Sequence, residues 1–112
     1  MAITERRLDD VVILDLAGRI TIGEGTIMLR ERIEHMLAGG NEKFLLNLAG
    51  VNYIDSSGLG ELVSSFTTVR NGEGHLKLLG LTHRVRDLMQ ITKLLTVFDT
   101  FDDEAEAIKS FR

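Results

Sequence analysis

Val51-Asn52-Tyr53-Ile54-Asp55-Ser56-Ser57-Gly58-Leu59-Gly60-Glu61-Leu62 joins a short apolar run, Phe44 to Leu48, to a segment of helical periodicity. Its reading decides the fold. The apolar run is too short for a helix and nearly all hydrophobic, as a strand buried on both faces is. After the Asp-Ser-Ser-Gly turn, Leu59, Leu62, Val63, Phe66 and Val69 fall on one helical stripe. Asn71-Gly72-Glu73-Gly74 stops that helix, and His75-Leu76-Lys77-Leu78-Leu79 returns as a strand. Strand, helix and strand in this order make a βαβ unit with parallel strands and a right-handed crossover.

Outward from this unit, the remaining elements fall into place. Ile3 to Leu8 and Val11 to Leu16 read as two strands joined by a tight turn at Asp9-Asp10. Ala17 to Gly25 reads as a Gly-rich connection. A helix follows from Thr26, with Leu29, Ile33, Met36 and Leu37 at helical spacing, and Gly39-Gly40-Asn41 ends it through an αL cap. Thr82 caps a helix that buries Val85, Leu88 and Met89, and Leu95 to Phe98 reads as a short strand. Asp102 and Asp103 begin a last helix with Ala105, Ile108 and Phe111 inward. The expectation is one α/β domain over residues 1–112: a mixed sheet of about five strands with about four helices against it.

Composition narrows the function. A chain of 112 residues holds one core. The absence of cysteine excludes disulfides, thiolate metal sites and a cysteine nucleophile, and it agrees with a cytoplasmic setting. A net charge of −4 argues against nucleic-acid binding, which needs a basic face. No apolar run is long enough for membrane insertion.

Catalysis finds little support. His35, His75 and His83 belong to no motif that would bring a base to Ser56, and the serine context is not the G-x-S-x-G elbow. Asp9-Asp10 and Asp102-Asp103-Glu104 lack Ca²⁺-loop spacing. Gly18 and Gly23-Glu24-Gly25 lack both the dinucleotide fingerprint and the Walker lysine. No cofactor is expected, and the chain reads as a non-enzyme. Asp-Ser-Ser-Gly-Leu-Gly remains, at a helix N-terminus where unpaired N–H groups and the dipole favour a cap or a phosphate. Asp55 or Ser56 is the cap, with Gly58 and Gly60 allowing close packing.

That segment, preceded by Leu46-Asn47-Leu48 and Val51-Asn52-Tyr53-Ile54, resembles the signature of the STAS family, and within it of the anti-sigma factor antagonists. The resemblance runs from the opening hairpin to the final helix. It implies a protein-binding module in a partner switch. The unphosphorylated antagonist sequesters an anti-sigma factor that is also a serine kinase, freeing a sigma factor for transcription. Phosphorylation of the serine after the motif aspartate, matching Ser56, breaks the complex, and a phosphatase resets it. Asp55, Ser57, Gly58 and Leu59 would then contact the partner, together with Thr21 and Ile22 from a neighbouring loop.

Antagonists of this kind often carry Gly-Glu-Leu-Asp where this chain has Gly18-Arg19-Ile20-Thr21, so threonine replaces a partner-contacting aspartate. Two other readings stand beside this one, the first motivated by the Thr21 departure and the acidic surface. One is a constitutive interaction subunit of a transport or stress-signalling assembly. The other is a small-molecule or nucleotide sensor using the 20–25 loop and the 56–60 turn. A homodimer is compatible with any of them.

Overall fold

A computed structural model describes all 112 residues. Five strands form one mixed sheet in the order β1 (Ala2–Leu8), β2 (Val11–Ile20), β3 (Lys43–Ile54), β4 (His75–Leu79) and β5 (Thr100–Phe101). β1 and β2 are an antiparallel hairpin, and the remaining neighbours are parallel. The helices are α1 (Glu24–Ala38), α2 (Ser56–Asn71), α3 (His83–Ile91) and α4 (Glu104–Lys109), with a 3-10 turn at Leu94–Thr96.

The alternation of side chains along β2 and β3 builds two unequal cores. Val12, Leu14, Leu16, Phe44, Leu46 and Leu48 join residues of α1, α2 and α3 in the larger one. Val11, Ile13 and Leu45 face the other way, onto Ala107, Ile108 and Phe111 of the α4 segment. The second face is closed further along by charge. Arg6 bridges Asp15 and Glu104, and Asn47 donates to Asp15. The Arg6 guanidinium holds the Asp15 carboxyl below the usual aspartate range.

Several boundaries differ from the sequence expectation. β2 runs to Ile20, so the first part of the expected connection, from Ala17, is strand, interrupted by register shifts at Asp15/Ala17 and Gly18/Arg19. β3 continues past Leu48 to Ile54, paired over that stretch with β2 alone. α1 starts at Glu24 behind Gly23, with no side-chain cap. Leu95 to Phe98 is not a strand: the chain makes a 3-10 turn there so that Phe98 can enter the core, and the edge strand comes at Thr100–Phe101. In α4, Asp103 is the cap, which turns Ala107 rather than Ala105 inward. Leu88 is half-buried beside the buried Val85 and Met89.

Both long helices end in Schellman motifs. At α1, Asn41 N–H donates to Met36 and Gly40 N–H to Leu37, with Gly40 at φ 91°. At α2 the corresponding bonds run from Gly74 to Val69 and from Glu73 to Arg70, but the left-handed residue is Glu73, at φ 65°. A Cβ is disfavoured in that conformation. Glu73→Gly is therefore expected to stabilise the protein by about 0.5–1 kcal/mol, read as a higher urea midpoint at unchanged slope.

Candidate functional site

The site is built where β2 and β3 leave the sheet together. Because β3 outruns β4 by seven residues and stays paired with β2, Ile20 lies opposite Ile54 and the next residues of both strands emerge side by side. Asp55 N–H donates to Ile20 O at 3.3 Å, which closes the pair.

Asp55 then fixes the turn with both carboxylate oxygens. Oδ1 accepts from Gly58 N–H at 2.7 Å, the cap of α2, and Oδ2 accepts from Ile22 N–H at 3.1 Å. The Gly58 and Ile22 N–H groups favour the charged carboxylate and hold Asp55 below its ordinary value of 3.8. A carboxyl with a depressed folded pKa contributes its stability above that ordinary value and loses it as pH falls through the folded one. Asp55→Asn should thus melt lower than the native protein at pH 7, with the gap narrowing below pH 3.8. Thermal unfolding across that range checks it.

With Asp55 as the cap, Ser56 becomes the first residue of α2, exposed at the positive end of a 16-residue helix. Ser57 and Thr21 are half-buried, and Ile22 is 75% exposed. These residues form one surface. Gly58 and Leu59 do not belong to it, because both are buried in the fold. A Cβ at Gly58 would overlap Ile20 O and reach within 2.7 Å of Ile54 Cγ1, so this glycine lets α2 approach its own chain, not a partner's. Gly60 is different from the packing glycine expected: no group lies within 4 Å of where its Cβ would be.

Polar residues of α2 that the apolar stripe gave no reason to bury are inside. Glu61 is 3% exposed and accepts from Arg30 Nε and Nη2 of α1 and from Ser65 Oγ. Ser65 is itself buried and completes this carboxylate's shell. The pairing locks α2, and with it the Ser56 turn, against α1. The charge of the buried glutamate is met by Arg30 across the helices, and no local sequence signal announces that pairing.

On the other side of the turn, sequence reading missed a second feature. Tyr53 is 37% exposed, and the Arg19 guanidinium stacks over its ring at 4.5 Å. Next to it Tyr53, Ile54, Leu88 and Ile91 line an open groove of about 650 Å³ between the end of β3 and α3, flanked by Arg84 and Asp87.

Comparison with known proteins agrees with this fold. A family model described as the STAS domain matches residues 2–107. The anti-sigma-B factor antagonist of Bacillus subtilis (strain 168) is 34% identical over 86 residues, 77% of each chain. A crystal structure of a Thermotoga maritima protein described as an anti-sigma factor antagonist superposes with TM-score 0.91 at 26% identity, covering 98% of this chain and 94% of that one. The Bacillus cell fate determinant SpoIIAA in its phosphorylated form shares the fold at 21% identity, with TM-score 0.77 over 99% and 100% of the two chains.

Proposed function

The chain belongs to the STAS domain family, and we propose that it is an anti-sigma factor antagonist switched by phosphorylation at Ser56. In the unmodified form, Thr21, Ile22, Asp55, Ser56 and Ser57 present a surface that holds an anti-sigma factor serine kinase. Sequestering that factor frees a sigma factor for transcription. The kinase phosphorylates Ser56, the complex separates, and a phosphatase restores the hydroxyl. The chain is the substrate and binding module of this cycle, and the transferred phosphoryl comes from the kinase's ATP.

One observation carries the reading: Asp55 takes over the structural work of the turn, which leaves Ser56 exposed at the helix N-terminus. A serine that caps its own helix is committed to the fold, whereas this one is not. The N–H groups and dipole of α2 also suit a phosphate at this position, so modification leaves the fold intact. Names among the relatives point the same way, since the Bacillus subtilis protein is an anti-sigma-B factor antagonist.

The test is calorimetric titration of the chain with each purified anti-sigma factor kinase of its genome. One of them should bind with a dissociation constant of about 1 μM or tighter, and Ser56→Ala should bind as the native chain does. Absence of binding to all of them would overturn the proposal.

A further inference from the structure

We propose that the open edge of β4, at the opposite end of the sheet from Ser56, pairs with an extended apolar peptide segment of a partner protein that places an Asp or Glu beside Arg70. This is a second interaction surface, and it does not depend on the switch proposed above.

The edge is open because of Phe98. That ring is buried edge-to-face against Phe66 of α2, with centroids 5.2 Å apart, so the chain cannot run along the whole of β4. β5 consequently begins opposite Leu78. Leu78 and Gly80 N–H donate toward that side, to Asp99 O at 3.0 Å and Phe101 O at 2.9 Å. His75 N–H points the other way and donates to Glu42 O at 2.8 Å. By the alternation of a strand, Leu76 N–H and C=O face the same side as those of Leu78, where no residue of this chain pairs with them. A strand edge with free backbone groups is a template for another chain.

A cleft of about 290 Å³ follows this edge. Its apolar walls are Phe66 and Val97, the latter 40% exposed. Of the charged groups lining it, Asp99 is met by Lys77 Nζ at 3.9 Å. Arg70, stacked over the Phe66 ring at 5.9 Å, is in no ion pair and leaves the cleft positive on a chain of net charge −4. A free carboxylate would satisfy Arg70 alone. An extended peptide with an acidic side chain satisfies Arg70, the apolar walls and the Leu76 backbone together. Arg70 lies near the far end of α2, about 20 Å from Ser56 at the rise of an α-helix, so both surfaces can be occupied at once.

The test uses peptides selected from a phage-displayed random library against the native chain, followed by amide hydrogen exchange and titration with each selected peptide. Apolar peptides containing Asp or Glu are expected, and their binding should slow exchange at Leu76 N–H about tenfold or more. Arg70→Glu should weaken them about tenfold or more, while Arg84→Glu, at an exposed arginine outside the cleft, and Ser56→Asp should bind as the native chain does. Comparable melting temperatures of the two arginine variants would place the loss in binding and not in folding. No selected peptide, no protection at Leu76, or affinity insensitive to Arg70→Glu would overturn the proposal. So would free glutamate acting on the same amides as strongly as the peptides, which would make the cleft a small-anion site. A dimer in sedimentation that Arg70→Glu dissolves would assign the edge to a second copy and overturn it equally.

Discussion

Replacing Gly58 by valine is expected to lower the stability of the protein by about 3 kcal/mol or more. The reason is local and steric. α2 begins so close to the end of β2 that a Cβ would collide with the Ile20 carbonyl oxygen, and that oxygen is already fixed as the acceptor of Asp55 N–H. The collision is with backbone, so it cannot be relieved by a rotamer change. It can be relieved only by moving α2 off β2, which would open the contacts of Leu59 and Leu62 with the core. For a domain of this size the loss corresponds to a fall in melting temperature on the order of 12 °C. Gly60→Ala is the counterpart. It adds a methyl where nothing lies within 4 Å and removes a helix-interior glycine, so it should stabilise by about 0.5–1 kcal/mol. A pair of thermal melts checks both, and similar effects at the two glycines would mean that the packing of α2 has been misread.

Phosphorylation of Ser56 should raise the dissociation constant for the anti-sigma factor by about a hundredfold or more, while the melting temperature stays nearly constant. The modification adds about −1.5 to −2 charges and three acceptor oxygens to a surface that already carries the ionised Asp55 one residue away. Within the chain, the N-terminal dipole of α2 offsets this charge. Across an interface shaped for a neutral hydroxyl there is no such compensation, and the phosphate must be desolvated against groups that met an O–H. The switch is then electrostatic, with the backbone of the turn held by Asp55 in both states. Titrating the phosphorylated and unmodified proteins against the same kinase separates the terms. Equal affinities would remove the electrostatic switch, and a large drop in melting temperature would mean that the phosphate acts by unfolding the turn.

The βαβ unit around the Ser56 turn was legible in the sequence because its elements are buried and strictly patterned. Phe44, Leu45 and Leu46 are all inaccessible, as a doubly covered strand requires, and Leu59, Leu62 and Val69 keep helical spacing. What the sequence concealed lies where one neighbour is missing. Past Asn47, β3 pairs only with β2, so Ala49, Gly50, Asn52 and Tyr53 are exposed and the apolar pattern of a strand is lost. The same extension places Thr21 and Ile22 beside Asp55, so the site's geometry depends on the part of the strand that pattern reading could not see. β5 is two residues long, below the length at which alternation carries information. Glu61 and Ser65 were hidden for a different reason: Glu61 is paired by Arg30, 31 residues away in the chain, and Ser65 donates to Glu61 in turn. The choice between Asp55 and Ser56 as cap, left open by residue types alone, is settled by hydrogen bonds in favour of Asp55, and that outcome is what leaves Ser56 available.

The most direct test of the account is site-resolved mass spectrometry of the chain recovered from its own cells across growth and stress conditions. A phosphate is expected on Ser56 in a fraction of molecules, changing with condition, with Ser57 unmodified. A peptide that remains unmodified at Ser56 under every condition, in cells where the anti-sigma factor is bound and released, would contradict it. The serine would then be no more than the first residue of α2, and the chain a constitutive interaction subunit.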